Sequence, residues 1–123
     1  MISKDIITEL PLRIDDYAMP VKPNQRGMEI QGSHPIHGSF TGFNFSINLS
    51  KDRYYCHRCS AGGDTIDWIA VMLGLQSEID IAEHGISEVS FQQVINYLWT
   101  HGYSDRLAEC GYFHSLNPLP FAR

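Results

Sequence analysis

Two short pairs of soft donors, His34-Pro35-Ile36-His37 and Cys56-His57-Arg58-Cys59, constrain this chain more than any other feature of it. A two-residue gap lets both side chains of a tight turn converge on one ion. The eighteen residues between the pairs are enough for a hairpin to fold back and bring the turns together. Four such ligands, His34, His37, Cys56 and Cys59, close a tetrahedral site around one Zn²⁺. Two thiolates and two neutral imidazoles leave the complex without net charge, so it tolerates partial burial beside aromatic side chains. Calcium and magnesium prefer oxygen donors and suit this set less well.

Each half has a plainer reading. A Cys-x-x-Cys also serves as a thioredoxin-like redox pair, but that use needs a helix starting at the first Cys to lower its pKa. Here Ser60-Ala61-Gly62-Gly63 follows instead. A lone His-x-x-His is commonly a pair of surface histidines. The two together, with strand alternation between them, favour the metal site. His57, between two ligands, is expected to face solvent. Cys110 and His114 make only one pair, read more simply as a packed thiol and a surface histidine.

The surrounding pattern suits a small ribbon. Phe43, Phe45, Ile47 and Leu49 alternate with Asn44, Ser46 and Asn48, predicting a strand with one core face and one wet face. Ser50-Lys51-Asp52 forms a turn and Arg53-Tyr54-Tyr55-Cys56 returns antiparallel. A shorter strand is expected at Met28–Gln31, after a loop containing Pro20, Pro23 and Gly27, and Gly62-Gly63 reads as a break. Asp64, helped by Asp67, caps a helix whose apolar residues from Ile66 to Leu73 cover most of its circumference, so it should be sandwiched between two layers, ending at Gly74. Ser90 and Gln93 predict a capping box before a helix to about His101, with a stripe of Phe91, Val94, Ile95, Leu98 and Trp99. A short helix over Lys4–Leu10, a further turn over Ser104–Cys110 and an extended end at 116–120 complete the expectation.

With 123 residues there is room for one modest core. Nine Lys and Arg against fourteen Asp and Glu give a net charge of −5, which argues against coating duplex DNA or a membrane through the overall field. The longest apolar run, Trp68 to Leu75, is far short of the roughly 20 residues needed to cross a bilayer. The first residues lack the plan of a secretory signal and the cysteine count is odd, so a reducing, cytoplasmic setting is expected. Charge is uneven: residues 34–74 hold three basic and three acidic side chains, residues 75–123 two basic and six acidic. The fold expected is α+β, a zinc-ribbon-like antiparallel sheet with flanking helices, as a single domain over 1–123 with its ribbon core at 28–75 and a helical part at 76–123.

From His34 to Leu73, the run His34-Pro35-Ile36-His37, Phe43-Asn44-Phe45-Ser46-Ile47-Asn48, Tyr54-Tyr55-Cys56-His57-Arg58-Cys59 and Gly62-Gly63-Asp64-Thr65-Ile66-Asp67-Trp68-Ile69 resembles the N-terminal zinc-binding domain of bacterial-type, DnaG-like DNA primases. That family's pattern is Cys-Pro-x-His, a run ending in Phe-x-Val, an aromatic before Cys-x-x-Cys, then Gly-Gly-Asp-x-Ile and an apolar helix. His34 stands where the family usually has Cys.

The resemblance implies a non-catalytic zinc-binding module of a primase or primase-helicase, holding single-stranded template while a separate catalytic domain starts an RNA primer. The residues allow it. Lys51, Arg53 and Arg58 supply cations for phosphates, Tyr54 and Tyr55 rings for bases, and Asn44, Ser46 and Asn48 polar groups for base edges. Neutralising four phosphates, with Arg26 included, gives a slope of roughly −3 in log affinity against log salt. Expected partners are single-stranded DNA, bound weakly and salt-sensitively, and a primase catalytic domain or replicative helicase. The alternative is a zinc-stabilised protein interaction module whose acidic region after Leu75 docks on a basic replication partner.

Overall fold

The computed structural model describes residues 10–39 and 41–115. Its elements run in the order α1 (Ile14–Tyr17), β1 (Val21–Arg26), β2 (Glu29–Ser33), β3 (Phe45–Asn48), β4 (Arg53–Cys56), β5 (Ala61–Asp64), α2 (Thr65–Met72), α3 (Glu78–His84), α4 (Glu88–Leu98) and α5 (Ser104–Glu109), with a kinked connection over Trp99–Tyr103 joining the last two. The five strands form one antiparallel sheet in sequence order. The architecture is α+β, as the sequence implies.

The central hairpin forms as the alternation dictates. Phe45 pairs with Cys56, Ser46 with Tyr55, Ile47 with Tyr54 and Asn48 with Arg53. Phe45, Ile47, Tyr54 and Cys56 therefore share the buried face, and Ser46, Asn48, Arg53 and Tyr55 the other. The strand starts two residues later than the alternation suggests, and Phe43 is exposed rather than in the core. Leu49, half-buried, already belongs to the turn.

Two strands have no counterpart in the sequence expectation. β1 is an edge strand exposed along its whole length, so it carries no alternation to read. Its Pro23 lacks an N–H, which an edge tolerates, and the register shifts between Val21 and Asn24. β5 contains the glycine pair that reads as a break. A Cβ on Gly62 would lie 2.6 Å from the Tyr54 carbonyl oxygen, and one on Gly63 2.6 Å from a carboxylate oxygen of Asp67. Here the glycines permit close approach instead of ending the chain's order.

α2 begins in a reciprocal capping box. The Asp64 carboxylate accepts from the Asp67 N–H at 2.9 Å, and the Asp67 carboxylate from the Asp64 N–H at 3.2 Å. The helix is shared between two layers, as its all-round apolar character predicts. Trp68 packs with Ile14 of α1 and with Ile30, Phe45, Ile47, Tyr54 and Cys56 on the sheet, while Ile66, Ile69 and Ala70 pack with Ile81, Val94, Ile95, Leu98 and Leu107 among the helices. The Trp68 indole donates to the Tyr17 carbonyl at 2.9 Å, and Asp52 in the β3–β4 turn accepts from the Ile14 N–H at 3.1 Å. These bonds tie α1 across the sheet.

The later helices need corrections of boundary. The cap of α4 is Ser87, not Ser90: Ser87 Oγ accepts from the Ser90 N–H, and Ser90 is buried in the first turn. The apolar stripe from Phe91 to Leu98 is core as expected. After Trp99 the helix breaks at His101 and Gly102, where Gly102 takes a φ of 97°, so the predicted stop is a kink and α5 follows directly. α3, capped by Ser77, is absent from the sequence expectation. The helix expected over Lys4–Leu10 lies outside the described residues except for Leu10, and the end at 116–120 lies outside them entirely. Among the described residues, no helix is long and apolar enough to cross a membrane.

Candidate metal centre

Three chain segments deliver donors to one point at the end of the sheet. The turn after β2 supplies His34 and His37, the end of β4 and its turn supply Cys56 and Cys59, and the first residue of α3 supplies Glu78. One donor atom each from His34, His37, Cys56 and Glu78 lies within 4.8 Å of the other three. Around His37 Nε2 the distances are 3.6 Å to Cys56 Sγ, 3.8 Å to Cys59 Sγ and 3.7 Å to Glu78 Oε2. A tetrahedral zinc ion with Zn–N of about 2.0–2.1 Å and Zn–S of about 2.3 Å spaces its ligands about 3.4–3.8 Å apart. The spacings of Cys56, Cys59 and the Glu78 carboxylate from His37 fall in that range, and His34 joins His37, Cys56 and Glu78 in the same cluster.

The structure brings His34 close as well, in a different setting. Its ring is 1% exposed, stacks on that of His37 with centroids 3.7 Å apart, and meets Phe45 edge-on at 4.7 Å. Its Nδ1 accepts from the N–H of Ile36 at 3.1 Å and of His37 at 3.4 Å. Its Nε2 bonds Glu78 Oε1 at 2.7 Å. The turn itself is fixed by Asn44, whose side chain accepts from the His34 N–H at 3.0 Å and donates to the Gly38 carbonyl at 2.8 Å.

The electrostatics call for a cation. Burial pushes the Cys59 thiol up to about 12, with the neighbouring Cys56 and Glu78 adding to the shift. Burial also raises Glu78, but the hydrogen bond from His34, with Cys59 and His37 assisting, outweighs it and holds the carboxyl below its ordinary range. Two thiols and a carboxylate crowded together repel one another when ionised, and a dication removes that repulsion. Cys56 also accepts from the Cys59 N–H at 3.4 Å, as a metal-bound sulfur in such a turn does. Cys110 and His114 belong to no group of three or more donors among the described residues.

These observations meet three comparisons. No family model matches the chain. It is 34% identical over 84 residues to a DNA primase of Synechocystis, an alignment covering 63% of this chain and 12% of that protein. The chain spans about an eighth of that primase's length. Among solved structures, the Aquifex aeolicus primase, comprising zinc binding and RNA polymerase domains, is 21% identical with a TM-score of 0.44, over 88% of this chain and 30% of that one.

The residues proposed from sequence to face nucleic acid divide into two groups. Ser46, Asn48, Lys51, Arg53, Tyr54 and Tyr55 line one shallow groove of about 350 Å³ on the open face of the sheet, with Glu29 and Gly62. Tyr55 is 41% exposed, its edge close to the site a Gly62 Cβ would occupy and its ring 4.9 Å from that of His57. Arg58 and Asn44 lie away from this group, lining a second cavity with His37, Ser39 and Thr41. Tyr54 borders the same groove but is only 2% exposed, its ring packed against Trp68 and Phe45, because alternation sends it to the core side when Tyr55 faces out. Two amides are also committed locally, Asn44 to the metal turn and Asn48 Oδ1 to Ser50 and the Lys51 N–H.

Proposed function

We propose that residues 1–123 form a single non-catalytic zinc-binding module, its ribbon at 28–75 and helical part at 76–123, that binds single-stranded DNA template during replication priming in the cytoplasm. One structural zinc ion holds the ribbon through a site built from the His34, His37, Cys56 and Cys59 motif. A closed four-ligand site offers no position for water, so the module contributes binding and leaves polymerisation to a primase catalytic domain or a helicase-linked one.

The observation carrying this reading is the open groove lined together by Lys51, Arg53, the exposed ring of Tyr55, Ser46 and Asn48. Cations at the rim neutralise phosphates and the ring stacks on a base without selecting a sequence. Arg26 pairs with Glu29 across β1 and β2 at the margin of this face, while Arg58 lies elsewhere. Three cations, not four, then give a log–log salt slope of about −2.

Fluorescence titration of a labelled single-stranded oligonucleotide at several salt concentrations tests the reading. Replacing Lys51 and Arg53 together by Ala should weaken binding at low salt and flatten the slope to about −0.7. Salt-independent binding by the wild type, or none at low salt, overturns it. The protein-interaction alternative draws on the exposed acids of α3, Asp80 and Glu83, and requires partner binding that survives the double substitution.

A further inference from the structure

The cluster at the end of the sheet contains five donor side chains for an ion that takes four, and hydrogen bonding sorts them. An imidazole nitrogen has one in-plane lone pair. His34 Nδ1 directs its lone pair at the N–H groups of Ile36 and His37, so the ring's proton lies on Nε2. That N–H points at Glu78 Oε1, 2.7 Å away. Two ligands of one tetrahedral zinc stand about 3.4 Å apart, so 2.7 Å is the spacing of a hydrogen bond and not of co-ligands. A thiolate at position 34 could accept the same two N–H groups and still bind a metal, because sulfur has lone pairs to spare. A histidine cannot do both.

Glu78 Oε2, the other carboxylate oxygen, lies 3.7 Å from His37 Nε2, on the side of the two sulfurs. The carboxylate is 6% exposed and is the first residue of α3, where the Ser77-capped turn presents its positive end. We propose that Glu78 is the fourth zinc ligand, completing a set of His37, Cys56, Cys59 and Glu78, and that His34 is a positioning residue that donates through Nε2 to the carboxylate and fixes its orientation. This rests on the zinc-module reading and revises its ligand set. The site then carries a net charge of −1, with two thiolates and one carboxylate on a dication. Arg58 lines the same cavity as His37.

The test uses the whole chain loaded with NMR-active cadmium and isotope-labelled histidine. One imidazole, that of His37, should show coupling to the metal, while His34 shows the Nε2-protonated tautomer without coupling. Coupling to both rings overturns the assignment. In the cobalt-substituted protein, Glu78→Gln should shift the visible bands and weaken metal affinity by at least 100-fold. His34→Gln, which keeps a donor near the carboxylate, should leave the bands in place and weaken affinity by about 10- to 100-fold. Cobalt bands unchanged by Glu78→Gln and shifted by His34→Gln also overturn it. A wild-type chain that takes up no metal refutes the zinc-module reading itself, whereas one ion held through two imidazoles refutes only the role of Glu78.

Discussion

Tyr54→Phe should stabilise the protein, and more so at high pH. The Tyr54 ring contacts Trp68 at 5.0 Å and Phe45 at 5.9 Å between centroids, contacts that phenylalanine keeps. Its hydroxyl is buried with no hydrogen-bond partner among the described residues. Leaving such a group unsatisfied costs about 1–3 kcal/mol, and the small void left by one oxygen returns part of the gain. A net stabilisation of about 1 kcal/mol at neutral pH follows. Burial, reinforced by the negative charge of Glu78, Asp67 and Asp64, raises the Tyr54 phenol well above its ordinary range. The native state therefore keeps the proton while the unfolded chain loses it near pH 10. Stability is complete below that pH and declines above it, by about 0.8 kcal/mol at pH 10.5 for this one group. Tyr17, raised mainly by burial, declines in the same direction and is unaffected by the substitution. Urea unfolding of the zinc-loaded protein at about pH 7.5 and pH 10.5 should show Tyr54→Phe ahead by about 1 and about 2 kcal/mol. A variant less stable than wild type at neutral pH, or one whose advantage fails to grow with pH, refutes the burial of an unpartnered phenol.

Three further outcomes follow from the packing. Chelation of the metal, or Cys56→Ser, should abolish the near-ultraviolet signal of Trp68, whose ring lies 5.5 Å from that of His34, while far-ultraviolet helical signal persists in the helix layer; circular dichroism retaining both signals would exclude a structural ion. Gly62→Ala forces a Cβ toward the Tyr54 carbonyl and should cost about 1–3 kcal/mol in a thermal melt, while disturbing Tyr55 and weakening oligonucleotide binding. Trp68→Phe deprives the Tyr17 carbonyl of its donor and opens space beside Phe45, and should cost about 2–4 kcal/mol by urea titration.

What the sequence discloses of this fold is what repeats locally. The period-two pattern from Phe45 to Asn48 and its return at Arg53–Cys56 specify a hairpin and its faces, and Asp64 with Asp67 specifies a helix start, because both signals lie within a few residues. β1 leaves no such signal: its six residues are exposed and pair only through backbone. β5 is hidden for the opposite reason, since Gly62 and Gly63 have low strand propensity and are required by neighbours distant in sequence. Ser87 and Ser90 are both plausible caps, and the choice between them depends on which serine the helix layer buries.

The metal site divides in the same way. A pair of donors two residues apart is visible because one turn carries both, so His34, His37, Cys56 and Cys59 stand out. Glu78 belongs to no local motif and reaches the site only because α2 returns the chain to the end of the sheet, 44 residues after His34. In the proposed coordination, a histidine that accepts the turn's N–H groups through Nδ1 leaves a place for a donor from elsewhere. An acidic residue directly after a capping serine, following the apolar helix, is where such a donor can enter with its charge offset by a helix end. Sequence spacing thus identifies which turns meet, while in the proposed coordination the number of lone pairs on each donor decides which side chain completes the set.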